Sequence, residues 1–132
     1  MRIYITHCSA KKDNLLKNSG YKVTPDKLYT ATPTQRFMSK CKEKKVNWAI
    51  FSDLYGVWLP NIKYEWYEKD PDTVTEQEFR NLVNDFDQKL KDYDEIWFYY
   101  NPGRFHPLYK RLLQETRLKG KVKLCTHIRA IV

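Results

Sequence analysis

The stretch His7-Cys8-Ser9-Ala10-Lys11-Lys12 sets a thiol, a hydroxyl and two ammonium groups side by side, directly after a short apolar run. A free thiol titrates near 8.5, and neighbouring ammonium groups lower that value by favouring the thiolate. Cys8 is therefore read as a candidate nucleophile. Lys11 and Lys12 would hold anions, with Lys12 close enough in sequence to join the catalytic group. Two other readings fit the same residues. Ser9, Lys11 and Lys12 could cradle a phosphate together with backbone N–H groups and no covalent chemistry. Cys8 could equally be an inert core thiol, since free cysteine is among the most buried residue types.

Two further stretches carry reactive groups just where an apolar run stops. Ser52-Asp53-Leu54-Tyr55-Gly56 offers a carboxylate for proton transfer at Asp53, and Ser52 and Tyr55 as pocket walls. Gly56 would permit a positive φ or a close backbone approach to a ligand. Asn101-Pro102-Gly103-Arg104-Phe105-His106 offers Asn101 and Arg104 for an anion, and His106 for proton transfer near neutral pH. His106 stands directly before a helix start, a place that suits anions, and a capping or solvated histidine fits there as well. Tyr29 joins Tyr55 as a candidate wall of a base pocket. His7, pointing to the face opposite Cys8, and His127 read as structural, as do Cys41 and Cys125 in element interiors. No ligand spacing supports zinc at His7, Cys8 and His106. Neither a P-loop nor a GxGxxG fingerprint is present, so no nucleotide or dinucleotide cofactor is expected.

The elements that must position these groups follow from periodicity. Arg2–Thr6 is a short strand, and the polar segment Asp13–Lys27, with Asn18-Ser19-Gly20, is a loop. "TPTQ" at residues 32–35 has capping-box form with Pro33 at the first helical position, predicting a helix to about Lys45 that buries Phe37, Met38 and Cys41. "NWAIFS" is a strand apolar enough to be covered on both faces. Val57–Thr73, with Pro60, Pro71 and four aromatics, reads as an irregular lid whose rings would stack a base or cover the core. Thr75 and Glu78 form another capping box, opening an amphipathic helix with Phe79, Leu82, Val83, Phe86 and Leu90 inward. "EIWFYY" is a third strand, Pro107 opens a helix through about Arg117, and "KVKLCTHI" is a fourth strand. The β-α-β-loop-α-β-α-β order implies right-handed crossovers. The expectation is a small Rossmann-like three-layer α/β sandwich with a mostly parallel sheet of about four strands. Ligands of such sheets bind at the carboxyl ends of the strands, where the three polar stretches would meet.

The 132 residues suffice for one domain, 1–132, with one core. No apolar run approaches the roughly 20 residues of a membrane span, and Met1–Ile5 is not a cleavable apolar leader. Three cysteines with no CxxC pair argue against a disulfide framework and for a reducing, cytoplasmic setting. The net charge of +8 is segregated: residues 1–45 carry a net +8, residues 46–100 a net −7 and residues 101–132 a net +7. If the two basic thirds meet in space, they form a positive face suited to nucleic acid or a nucleotide-like anion. Solubilising lysines are the plain alternative.

"CSAKK", "KLYTATPTQRF" and "FSDLYGVWLP" together resemble a small, largely uncharacterised domain family of archaea, bacteria and phages. Its members share a Cys-Ser-x-Lys-Lys start, a Leu-Tyr before the first helix and a Ser-x-x-Tyr-Gly-x-x-x-Pro-like strand end. The resemblance covers about half the chain and implies the same fold and pocket. More distantly, Cys8, Ser9 and Lys12 resemble the Cys-Ser-x-x-Lys-Pro-Tyr pattern of the archaeosine synthase catalytic domain. Asp13 and Asn14 stand where Pro-Tyr would be, and the downstream serines and histidine of that pattern are absent. That enzyme adds lysine to the nitrile of a 7-deazaguanine base in transfer RNA, so the resemblance implies attack of Cys8 on a nitrile carbon. The resulting expectation is a nucleobase- or nucleoside-modifying enzyme, acting on a 7-deazaguanine-type base in nucleic acid. The alternatives are a non-catalytic nucleic-acid or nucleotide-binding module, and a phosphate-ester or N-glycoside hydrolase using Asp53 or His106 with Cys8 only packing.

Overall fold

The apolar runs that end in the polar stretches are sheet strands in the computed structural model, which describes all 132 residues. In chain order the elements are β1 (Arg2–His7), β2 (Lys22–Val23), α1 (Pro25–Leu28), α2 (Thr32–Lys44), β3 (Asn47–Ser52), β4 (Gly56–Trp58), β5 (Tyr64–Glu65), α3 (Glu76–Leu90), β6 (Glu95–Tyr99), α4 (Pro107–Glu115) and β7 (Val122–Cys125). The fold is mixed α/β. One sheet runs β4-β3-β1-β6-β7, with β3, β1, β6 and β7 parallel and β4 antiparallel at the edge. No helix is long and apolar enough to cross a membrane.

Strand register explains which residues are buried where. Ile5 is flanked by Ala49 and Phe98, and residues at matched positions in parallel strands share a face. On that face Phe51 meets Phe86 of α3 and Tyr109 of α4 edge-on. On the other face Tyr99 stacks on Phe37 of α2, 5.7 Å between centroids. Ile3, Ile5, Ala49, Ile50, Ile96 and Phe98 are fully buried between the helices.

The sheet has five strands rather than the expected four. The extra strand, β4, opens the segment read as a lid: after β3 the chain reverses through Asp53–Tyr55 and returns beside it. Ser52 closes this turn by accepting the N–H groups of Leu54 and Tyr55 at 3.1 and 3.0 Å. The expected loop Asp13–Lys27 contains β2 and α1, and β2 pairs with β5 in a separate antiparallel ribbon. "TPTQ" does not cap: Ala31 occupies the N-cap of α2 without a side-chain bond, which puts Pro33 at the second helical residue. The Thr75–Glu78 box does form, in both directions, at 3.1 and 2.9 Å. α4 stops at Glu115 and β7 at Cys125, leaving His127 beyond the strand.

Candidate functional site

Two neighbouring clefts open at the carboxyl edge of the parallel strands, and His7 and Ser9 line both. The smaller, about 230 Å³, lies where β1 and β3 end, between the loop of residues 8–12, Asp53, the segment Tyr67–Pro71 and the start of α4. Cys8 continues the ladder one residue past β1, its N–H reaching the Phe51 carbonyl at 2.9 Å. That bond sets its thiol 3.2 Å from the Tyr109 hydroxyl and 3.4 Å from the Asp53 N–H.

Burial pushes the Cys8 thiol up to about 11, and the Asp53 carboxylate adds to the rise; the bonds from Tyr109 and the Asp53 N–H work against it. The direction is opposite to the lowering expected from Lys11 and Lys12. The reason is where the lysines go. Lys11 is exposed and lines neither cleft. Lys12 is buried, with Nζ 4.5 Å from the centre of the Tyr67 ring, and its charge acts on Asp53.

Asp53 is 4 % exposed, and its Oδ1 has no hydrogen-bond partner. Burial raises its carboxyl above the ordinary value, with Cys8 and Lys12 pulling the other way. A buried carboxylate oxygen left without a donor is costly, and native folds keep few of them. Behind the cleft, Ser52 donates to the Tyr67 hydroxyl at 3.0 Å, and Tyr67 bonds the Tyr29 hydroxyl at 2.6 Å. Desolvation holds Tyr29, Tyr67 and Tyr109 well above the usual phenol range, so all three act as neutral hydrogen-bonding groups.

His106 is the N-cap of α4. Its Nδ1 accepts the Leu108 N–H at 3.0 Å, so Nε2 carries the proton and donates to Asp72 at 2.6 Å. This contact ties the segment around Pro71 over the smaller cleft. His7 was set aside by sequence reasoning, yet it forms the wall between the clefts. Its ring stacks on Tyr109 at 4.7 Å and 14°, and Nδ1 donates to the Cys8 carbonyl at 2.8 Å, leaving Nε2 as an acceptor. Burial lowers the His7 pKa, with His106 assisting and the carbonyl bond opposing, so the ring is neutral at pH 7.

The larger cleft, about 450 Å³, lies between the ends of β1 and β6 and the start of α2. The chain returns from β3 to the far side of β1 to form β6, so this is the point where strand order reverses, the usual ligand position in such sheets. Asn101 and Arg104 line it, joined by Thr34 and Arg36, which no sequence motif marks, and by His127, which reads as structural from sequence. Arg36 was concealed by its place in a helix, near but beyond the first turn of α2, where no pattern marks it as facing the strand edge.

The expected residues therefore divide. Cys8, Lys12, Asp53 and His106 share the smaller cleft, Asn101 and Arg104 the larger, and Ser9 both. Ser52 and Tyr29 support from behind. Tyr55 stacks on Tyr64 at 4.2 Å and, with Gly56, borders a separate acidic depression containing Glu78 and Asp85. No three His, Cys, Asp or Glu side chains converge as metal ligands would. No family model, curated protein or solved structure matches the chain.

Proposed function

We propose that the chain is an enzyme that modifies a nucleobase or nucleoside, built as a small Rossmann-like three-layer sandwich, with its chemistry in the Cys8 cleft. One observation carries this reading: the unpartnered, buried Oδ1 of Asp53 stands beside a buried thiol at the strand edge. Buried carboxylates with raised pKa in a cleft are the groups enzymes use for proton transfer.

At pH 7 a thiol titrating at about 11 is ionised in only about one molecule in 10⁴, so Cys8 needs a proton acceptor as it attacks. Asp53 is that acceptor, and its own raised pKa narrows the gap between the two acids. On a nitrile carbon, the Sγ–C bond forms while one C–N π bond breaks. The thiol proton passes through Asp53 to the nitrile nitrogen, giving a thioimidate. An amine co-substrate then adds to the same carbon, the C–S bond breaks, and the proton from the amine returns to Cys8. The product is an amidine and the free thiol. Tyr109 and the Asp53 N–H would hold the sulfur throughout, and His7 Nε2, an acceptor on the cleft wall, would relay the amine proton to the departing thiolate. A 7-deazaguanine bearing a nitrile, free or in nucleic acid, is the base that the resemblance to archaeosine synthase suggests.

A second reading has a specific observation behind it. A neutral, well-packed thiol suits a structural role, leaving Asp53 as base or nucleophile in N-glycoside hydrolysis. Intact-mass spectrometry with a nitrile-bearing 7-deazaguanine nucleoside, followed by chromatography of unmodified nucleosides, separates the two. The first reading expects an adduct on Cys8 that is absent in Cys8→Ala. Base release that persists in Cys8→Ala and vanishes in Asp53→Asn supports the second. Neither adduct nor turnover from any nucleoside leaves a binding module and overturns both.

A further inference from the structure

We propose that the larger cleft is a phosphate site that takes a nucleoside 5′-monophosphate, with the phosphate between Arg36 and Arg104 and the base end reaching over His7 and Ser9 toward Cys8. This rests on the nucleoside-modifying reading and adds the substrate class.

Four independent features point the same way. The first is charge. No aspartate or glutamate lines the cleft, although the chain carries 16 acidic residues. The second is pairing. Arg2, Arg80 and Arg111 are each matched with carboxylates, whereas Arg36 and Arg104, like Arg117 and Arg129 elsewhere, have none, and both line the cleft. Unpaired guanidinium groups offer the planar, two-pronged donors that bind phosphate best.

The third is convergence of the segregated charge. Arg36 comes from the basic first third of the chain, and Arg104 and His127 come from the basic last third; the cleft is where these segments meet. The N-terminal turn of α2 lies in the same wall, and no side chain caps it, so its positive end also faces the cleft. The fourth is size and continuity. A volume of about 450 Å³ suits one small ligand rather than a strand of several phosphates. Tyr99 and Tyr100 supply flat walls, and the shared rim at His7 and Ser9 leads into the smaller cleft.

The test is calorimetric titration of the full chain with guanosine and adenosine 5′-monophosphates, the matching nucleosides, inorganic phosphate and a short single-stranded oligonucleotide. The expected result is that a monophosphate binds at least about tenfold more tightly than its nucleoside, with affinity falling as salt rises. Arg36→Gln with Arg104→Gln should remove that preference, while single Arg→Lys changes lose less because the charge remains. Both arginines are exposed and unpaired, and thermal melting of the double variant checks that the fold is kept. Monophosphate binding by the parent chain without turnover of any nucleotide would count against the catalytic reading and leave this site standing. Equal affinity for nucleoside and nucleotide, or affinity unchanged in the double variant, overturns the phosphate site. An oligonucleotide binding more tightly than any monophosphate, with the same arginine dependence, overturns the free nucleotide as ligand.

Discussion

Replacing Gly56 with alanine should destabilise the protein by about 2–5 kcal/mol, for two separable reasons. Gly56 has φ +75°, a conformation that costs an L-residue roughly 1–2 kcal/mol. A Cβ there would also lie 2.7 Å from Asp85 Cγ and overlap its Oδ2. That oxygen accepts the Val57 N–H at 2.7 Å, and the same carboxylate pairs with Lys89 at 2.9 Å. Pushing it aside strands a buried N–H, which costs about 1–3 kcal/mol. The half-exposed Lys89 pair adds little. Urea unfolding monitored by tryptophan fluorescence reads the loss, provided the slope with denaturant is unchanged. Asp85→Ala should show the lost hydrogen bond alone. The lost hydrogen bond is counted once in the double variant and twice in the sum of the singles, so the double should lose about 1–3 kcal/mol less than that sum. A Gly56→Ala loss below about 1 kcal/mol, or strict additivity, would refute the reasoning. Because the same turn carries Asp53, the variant also reports whether the smaller cleft tolerates movement of β4.

Three other outcomes follow from the site's electrostatics. Asp53→Asn removes the charge that helps hold the Cys8 thiol at about 11, so the midpoint of Cys8 alkylation against pH should fall, with Cys41 and Cys125 unchanged as internal references; an unchanged midpoint would mean burial alone sets the thiol. In alkali, the unfolded chain releases thiol protons near 9 while the native state holds them to about 11 at Cys8 and Cys125 and about 12 at Cys41. The stability from these thiols is thus full below pH 9 and is lost as pH rises through 11 and 12, at about 1.4 kcal/mol per unit for each, and Cys125→Ala should flatten the fall in melting temperature between pH 9 and 11. In acid, His7 works with the opposite sign: its depressed pKa means the unfolded chain binds a proton first, so its contribution is present above 6.5 and is lost as pH falls through its lowered native value. His7→Gln should reduce the loss of stability between pH 6.5 and 5.

How much of this was legible in the chain can be traced residue by residue. "NWAIFS" and "EIWFY" declare themselves as buried strands because both faces of a parallel strand are covered, so the apolar run is continuous. Once those strands are placed, the polar residues that follow them must fall at one edge, and Cys8, Asp53 and Asn101 do. β4 was concealed because it is only three residues long and owes its existence to the turn before it, not to a pattern of its own. The fate of Lys11 and Lys12 was concealed for a different reason. Lys12 forms an isolated bridge with Tyr29, which fixes the local backbone so that successive side chains point opposite ways, one into the core and one to solvent. Nearness in sequence therefore said nothing about nearness to sulfur. The helix cap failed for a similar reason: Gln35, which would close the box with Thr32, donates instead to the Asp26 and Tyr29 carbonyls of the preceding segment.

The two clefts also divide the electrostatic work in a way that fixes how a nucleotide would enter. Asp53 keeps a carboxylate at the smaller cleft, and a phosphate placed there would face it across a poorly hydrated space, where like charges repel strongly. Arg36 and Arg104 stand unpaired at the larger cleft with no acid beside them. Lys12 and Lys69 also line the smaller cleft, but Lys12 acts on Asp53 and Lys69 is paired with Glu78, so the free cations at the larger cleft favour phosphate toward α2 and the neutral reacting end toward Cys8. A thiol that stays protonated until Asp53 takes its proton fits that arrangement, since a resting thiolate would add a second negative charge beside Asp53. The raised thiol is thus compatible with nucleophilic chemistry, on the condition that the attacking step and the proton transfer to Asp53 occur together. Charge reversal tests the orientation. Asp53→Lys would draw phosphate into the smaller cleft, and a monophosphate should then protect Cys8 from alkylation while the matching nucleoside does not. Equal protection by the two ligands would show that charge does not set the direction of binding.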